Sequence, residues 1–127
     1  MPEKNILVVE ANEMLGGLYA AQLARLGNGE YSSTVVTSAA SAREAFHATP
    51  DVVAIITAGA LQGGIREACG LVREFRAADF KGPVIANSSD DMMNVELLKA
   101  GASHVTLGKS QAVAYCLDLL NAVGARR

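Results

Sequence analysis

The run VVAII at residues 52–56 and the run ILVV at residues 6–9 are apolar at every position. A strand with one face in water alternates polar and apolar residues, because successive side chains point to opposite faces of the sheet. A strand that is apolar throughout is covered on both faces, which is typical of a parallel sheet between layers of helices. The two runs therefore predict a parallel sheet at the centre of a three-layer α/β fold.

Three further runs of strand length occur along the chain, and segments whose apolar residues recur at intervals of three and four separate them. This alternation is β-α repeated five times, and it predicts five parallel strands with helices on both faces. The predicted strands span residues 5–10, 31–37, 52–57, 83–87 and 104–107.

Helix-capping side chains precede four of the predicted helices. Asn12 precedes the first, Ser41 and Glu44 have the spacing of a capping box for the second, the run SDD at residues 89–91 precedes the fourth, and Ser110 precedes the fifth. Two helices also carry an apolar stripe that we expect to face the sheet. The stripes are Ile65, Ala68, Leu71, Val72 and Phe75 in the third helix, and Val113, Cys116, Leu117, Leu120 and Val123 in the fifth.

Length and composition indicate one soluble globular domain over residues 1–127, with an ordered core over about residues 4–122. Eleven Lys and Arg oppose thirteen Asp and Glu, so the net charge is −2 at pH 7. This balance disfavours direct binding to nucleic-acid phosphates. The amino-terminal run MPEKNILVVE has four consecutive aliphatic residues, too few for a signal peptide or a membrane span. We therefore expect a cytoplasmic protein without membrane contact.

Cys69 and Cys116 each lack a second Cys or His at the spacing of metal ligands, which predicts buried, reduced thiols and no metal site. The tripeptide GKS at residues 108–110 resembles the end of a phosphate-binding loop. That motif needs a glycine where Ser103 stands, so we expect no bound nucleotide or other cofactor. No nucleophile, base and orienting group have usable spacing, so we predict no enzymatic activity.

Four segments resemble, in order and spacing, the landmarks of the response-regulator receiver domain. They are ILVVEAN at residues 6–12, PDVVAII at 50–56, GPVIANSS at 82–89 and AGASHVTLGKS at 100–110. The resemblance covers nearly the whole chain and implies flavodoxin-like topology with strand order 2-1-3-4-5. It also implies a signalling role in a bacterial-type two-component or related regulatory system.

The resemblance assigns roles to residues at the strand ends. The family has an acidic pair after the first strand, where this chain has Glu10 followed by Ala11. The family's phosphoacceptor Asp at the end of the third strand corresponds to Ile56, or to Thr57 if one residue is inserted. Ser88 matches the hydroxyl after the fourth strand.

The lysine that follows the fifth strand in the family corresponds to Lys109, with one extra residue before it, and Ser110 replaces the proline that follows. A magnesium site for phosphoryl transfer needs about two carboxylates besides the phosphate oxygens, and Glu10 stands alone. The resemblance therefore implies a degenerate receiver, a pseudo-receiver.

The vacated phosphorylation pocket has two alternative uses. Glu10 and Lys109 could form an ion pair across it. Alternatively, a small anion could bind beside Lys109 and Ser88, which would make the chain a small-molecule or anion sensor.

In receivers the fourth helix, fifth strand and fifth helix form the usual contact surface. Met92 and Met93 begin the fourth helix, and adaptable Met side chains suit protein contacts. His104 and Thr106 lie on the fifth strand. We expect a histidine kinase, a regulator, an output domain or a second copy of the chain to bind there, and the first helix, residues 13–26, is the alternative surface.

Overall fold

The computed structural model describes residues 4–125, in which strands and helices alternate as predicted. The strands are β1 (Lys4–Val9), β2 (Tyr31–Val36), β3 (Val52–Thr57), β4 (Val84–Asn87) and β5 (His104–Thr106). The helices are α1 (Glu13–Leu26), α2 (Ala39–Ala48), α3 (Gly64–Ala77), α4 (Asp91–Ala100) and α5 (Lys109–Ala125). Three predicted strands extended one residue too far, because Glu10, Thr37 and Leu107 have already left the sheet.

The five strands form one parallel sheet in the order β2-β1-β3-β4-β5, which confirms the flavodoxin-like topology. The pairing of β1 with β3 has one irregularity. Asn5 pairs with Val52 but the next residue, Ile6, pairs with Ala54, so Val53 is an extra residue in β3. Beyond it the register is regular, and Val9 pairs with Thr57.

Two apolar layers cover the sheet, one on each face. Leu7 and Val9 of β1 point into a layer that α2, α3 and α4 cover, whereas Ile6 and Val8 point into a layer covered by α1 and α5. All four side chains are buried. Burying one such aliphatic side chain contributes about 1.5–3 kcal/mol, so the apolar runs that predict the fold also stabilise it.

The first two helices begin with side-chain caps, one as predicted and one shifted. Asn12 Oδ1 accepts a hydrogen bond from the Leu15 amide at 3.1 Å, as expected for the cap of α1. The capping box of α2 is formed by Ser38 and Ser41, so the predicted box of Ser41 with Glu44 is wrong. The helix begins three residues earlier than that spacing assumed, which puts Ser41 in its first turn and leaves Glu44 exposed.

Of the two caps predicted for the later helices, one is confirmed and one is wrong. Within the predicted run at residues 89–91, Asp90 caps α4 by accepting from the Met92 and Met93 amides. The fifth helix begins at Lys109, so Ser110 lies inside its first turn and is not the cap. The first helical hydrogen bond runs from the Ala112 amide to the Gly108 carbonyl at 2.9 Å.

Both cysteines are buried and free, as predicted. Burial raises the pKa of the Cys116 thiol to about 12, and burial also raises the pKa of Cys69. The ordered core was expected to end at residue 122, whereas α5 continues to Ala125; the predicted core side chain of Val123 lies outside the side chains described. No helix within residues 4–125 is long and apolar enough to span a bilayer.

Candidate functional site

The carboxyl ends of the strands enclose a cleft of about 310 Å³, which we call the strand-end cleft. Parallel strands end at one edge of the sheet, so the loops that follow them meet there. Three of the predicted site residues, Glu10, Ser88 and Lys109, line this cleft together. The full lining is Glu10, Leu15, Tyr19, Ala58, Gly59, Ala60, Asn87, Ser88, Ser89, Leu107, Gly108 and Lys109.

Glu10 supplies the only carboxylate among the described residues of this lining. Its Oε2 accepts a hydrogen bond from the Asn12 amide at 3.1 Å, which holds the side chain against the start of α1. Lys109 is half-buried on the other side of the cleft, and within residues 4–125 no ion pair joins it to Glu10. The predicted Glu10–Lys109 pair is therefore not formed. Ala11 is exposed and lines a neighbouring depression instead.

The end of β3 presents small apolar residues to the cleft. Ile56 is buried in the layer beneath α1 and α5, and Thr57 is fully buried, with its hydroxyl donating to the Ala58 carbonyl at 3.1 Å. Neither side chain lines the strand-end cleft, whose wall here consists of Ala58, Gly59 and Ala60. The two candidates for the phosphoacceptor position are thus packing residues in this structure.

Ser88 connects the cleft to the start of α4. Its hydroxyl oxygen accepts from the Asp90 amide at 3.1 Å and lies 3.6 Å from the Met93 sulfur. The Asn94 side-chain amide donates to the Ser88 carbonyl at 2.8 Å. Met93 also packs on the loop after β3, because a Cβ at Gly59 would lie 3.1 Å from the Met93 sulfur. The first turn of α4 is therefore held from the cleft side.

A chain of hydrogen bonds beneath the cleft joins β5, β4 and α1. The Thr106 hydroxyl donates to Asn87 Oδ1 at 2.9 Å, and Asn87 Nδ2 donates to the Tyr19 hydroxyl. Tyr19 and Thr106 are both buried, and burial raises the pKa of Tyr19. The sequence assigned no role to Asn87 or Tyr19. The position of Asn87 at the end of a buried strand is the signal that could have identified it.

The side chains of the predicted contact surface differ in their exposure. Met92 is 68% exposed, and it continues into Val95 and Leu98 as an apolar stripe along α4. His104 is half-buried and packs edge-on against Tyr115 of α5, with ring centroids 5.2 Å apart.

Two of the predicted surface residues contribute less than expected. Met93 is only half-exposed because it packs on Gly59. Thr106 is 2% exposed, so its predicted place on the surface is wrong: its hydroxyl is used inside the fold by Asn87. We call the exposed residues Met92, Val95, Leu98 and Tyr115, together with half-buried His104, the α4–β5–α5 face.

The alternative surface on α1 is also apolar. Met14 is 77% exposed, and Leu15 and Leu18 are exposed beside it. Leu15 and the exposed Leu107 both line the strand-end cleft, so this patch reaches the mouth of the cleft.

Metal-ligating side chains do not cluster in the part of the chain that the structure describes. No group of three or more His, Cys, Asp or Glu residues within residues 4–125 could hold an ion.

Comparisons with known proteins place the fold. No protein-family model and no curated protein matches the chain. The receiver domain of the Francisella response regulator 1452 matches with a TM-score of 0.77 and 15% identity, over 95% of this chain and 99% of that one. A CheY-like receiver domain protein from Methanospirillum hungatei JF-1 matches with a TM-score of 0.77 and 13% identity, over 99% and 100%. A receiver protein from Pseudomonas putida matches with a TM-score of 0.67 and 20% identity, over 91% and 98%. The chain therefore has the fold of response-regulator receiver domains.

Proposed function

We propose that residues 1–127 form one pseudo-receiver domain, a signalling module that acts by protein–protein contact without being phosphorylated and without catalysing a reaction. Receiver domains act in two-component signalling, where they contact proteins such as kinases and output domains. One observation carries the proposal: Glu10 is the only carboxylate among the described residues that line the strand-end cleft. We expect the module to work in the cytoplasm, where its thiols stay reduced.

The chemistry of phosphoryl acceptance supports this proposal. Mg²⁺ gives up water reluctantly and needs about two carboxylates with the phosphate oxygens, and an acyl phosphate needs a carboxylate acceptor. The family has its second acid at the position of Ala11, which carries no carboxylate and lies outside the strand-end cleft. The extra residue Val53 in β3 favours Thr57 over Ile56 for the acceptor position, and neither is a carboxylate.

The first experiment tests phosphorylation. Acetyl phosphate or beryllofluoride with Mg²⁺ is expected to cause no saturable change in the amide spectrum and no gain of a phosphoryl group in the intact mass. A receiver that carries both acids and the acceptor Asp is the positive control. A stable phosphoryl adduct on a carboxylate of this chain would refute the pseudo-receiver.

The proposed contact surface is the α4–β5–α5 face, because its exposed Met92, Val95 and Leu98 form an apolar stripe along α4. Contiguous exposed apolar patches of this kind mark protein interaction sites. Interfaces concentrate their energy in a few residues. We expect Met92→Glu to weaken binding of a kinase, regulator or output domain, or self-association, by about 2 kcal/mol, roughly thirtyfold in Kd. Sedimentation and pull-down measure these effects.

Two exposed apolar residues of α1 supply matched controls for that substitution. Leu26→Glu changes a residue at the far end of α1 and should leave binding unchanged. Met14→Glu changes the alternative surface on α1, where Met14 is more exposed than Met92. Binding that survives Met92→Glu but fails with Met14→Glu assigns the contact to α1 and refutes the α4–β5–α5 face.

A second candidate function is an anion sensor in the strand-end cleft. One observation favours it: Lys109 lines the cleft with the hydroxyl residues Ser88 and Ser89 and has no carboxylate partner within residues 4–125. A ligand at a hundredfold excess over its Kd would stabilise the fold by about 2.7 kcal/mol. Lys109→Ala should abolish that rise, and Lys99→Ala, on the exposed side of α4, should not. A flat thermal response to phosphate, nucleotides and common metabolites favours the pseudo-receiver.

A further inference from the structure

A second cleft, of about 530 Å³, lies at the opposite edge of the sheet from the strand-end cleft. The first residues of three strands line it, namely Lys4 of β1, Tyr31 of β2 and Val52 of β3. Leu120 of α5 and the loop before β4 complete it. We call this the amino-edge cleft.

Two backbone features shape the amino-edge cleft. The extra residue of β3, Val53, is part of its lining, and such bulges are enriched beside functional sites because they re-aim side chains. Gly82 lies on the facing loop, where a Cβ would be 2.5 Å from the Val53 carbonyl oxygen. Only glycine lets that loop approach so closely, so the width of the cleft depends on this contact.

The lining is apolar with few polar groups. Tyr31, Val53, Phe80 and Leu120 are half-buried around it, a partial burial that leaves apolar surface facing the cleft. Ligand sites are commonly about 300–1,000 Å³ in volume and combine such walls with a small number of polar groups. The amino-edge cleft has both properties.

The charged residues of the lining are Lys4, Asp79 and Lys81, and Glu30, the residue before Tyr31, adds a carboxylate that acts on the Tyr31 hydroxyl. Lys81 is already paired with Asp79, with Nζ 2.9 Å from the carboxylate. Lys4 has no ion-pair partner, and the Tyr31 hydroxyl has no hydrogen-bond partner, within residues 4–125. Lys4 and Tyr31 are direct register partners on adjacent strands, so their side chains leave the same face of the sheet, about 5 Å apart at the backbone. One unpaired cation beside one hydroxyl matches a single carboxylate.

We propose that the amino-edge cleft binds a small apolar monocarboxylate of about bicyclic size. Its hydrocarbon body lies against Tyr31, Phe80 and Leu120, and its carboxylate pairs with Lys4 and accepts a hydrogen bond from Tyr31. The site is separate from the proposed protein contact, because no residue of the α4–β5–α5 face lines the amino-edge cleft.

The test is a titration of isotope-labelled protein with naphthoate, followed by amide chemical shifts. Saturable shifts are expected at Lys4, Tyr31 and Val53, and tighter binding than for naphthylmethanol, the neutral analogue. Lys4→Met is expected to raise the Kd of naphthoate about three- to fivefold, the effect of one part-exposed ion pair, and to leave naphthylmethanol unchanged. Lys4 is exposed, so this variant does not depend on repacking the fold.

A blocking variant tests the location. Leu120→Glu should abolish naphthoate binding by placing a like charge in the cleft, and Leu98→Glu, the same change on α4, should not. Melting temperatures of both variants show whether they remain folded. Three results overturn the proposal: shifts centred on Glu10, Ser88 and Lys109, naphthylmethanol binding as tightly as naphthoate, or naphthoate binding that Lys4→Met leaves unchanged.

Discussion

The buried hydrogen bonds from Thr106 through Asn87 to Tyr19 should stabilise the fold as a coupled unit. Tyr19→Phe removes the acceptor of the Asn87 amide, and Thr106→Val removes the donor to Asn87 Oδ1 with almost no change in shape. Tyr19 and Thr106 are 3% and 2% exposed and Asn87 is half-buried, so these hydrogen bonds are largely shielded from water. Each variant should therefore lower the free energy of unfolding by about 1–2 kcal/mol. In a chain of this length that corresponds to a fall in Tm of about 3–8 °C.

Energetic coupling between the two hydrogen bonds of Asn87 distinguishes a connected hydrogen-bond network from two independent contacts. Once one partner of Asn87 is lost, its side chain is free to move, and the second bond is worth less. The double variant Tyr19→Phe with Thr106→Val should then lose less than the sum of the single losses, by about 0.5–1 kcal/mol.

Urea unfolding measures all three variants, and an unchanged m-value shows that the unfolding transition itself is the same. Tyr115→Phe is the matched control, because Tyr115 is on the surface and its hydroxyl has no hydrogen bond within residues 4–125. It should change the stability by less than about 0.5 kcal/mol. Single losses no larger than that of Tyr115→Phe, or losses that add fully, would refute a coupled chain.

The remaining predictions concern Cys116 and two neighbouring glycines of α1. The raised pKa of Cys116, from 9.0 to about 12, means that the unfolded thiol ionises first. The contribution of Cys116 to stability should be constant well below pH 9 and fall by up to about 1.4 kcal/mol per pH unit between pH 9 and about 12, and Cys116→Ala should lessen this slope in urea unfolding at pH 8 to 10. Gly16→Ala should destabilise by about 1–3 kcal/mol, because its Cβ would lie 2.6 Å from Val35 Cγ1. Gly17→Ala, with nothing within 4 Å, should instead stabilise the chain by about 0.5–1 kcal/mol.

The architecture was predictable because it follows from local patterns. Fully apolar strands such as Ile6–Val9 in β1 require helices on both faces, and parallel strands bring their carboxyl ends to one edge. That argument is enough to place Glu10, Ser88 and Lys109 around one cleft, as the structure has them. Which side chains face the cleft is a finer question, because it depends on register.

The failures come from features that spacing does not encode. Two pairs of residues have the spacing of a capping box for α2, namely Ser38 with Ser41 and Ser41 with Glu44. Only the position of α2 against the sheet selects the first pair. The Thr106 hydroxyl is satisfied inside the fold by Asn87. The two residues are distant in sequence and become neighbours only because β4 pairs with β5. The extra residue Val53 likewise has no distinguishing composition in an apolar strand.

In the proposed pseudo-receiver, the contacts at Ser88 give a physical cause for a contact face that would not respond to phosphate. Ser88 accepts from the Asp90 amide, Asn94 donates to the Ser88 carbonyl, and Met93 packs on Gly59. Moving the start of α4 would break both hydrogen bonds, each worth about 1 kcal/mol, and would separate Met93 from the loop after β3. A partner changes such an equilibrium only by its difference in affinity for the two states. In the proposed pseudo-receiver, the bound protein therefore takes the place of the phosphoryl group as the species that selects the conformation of α4.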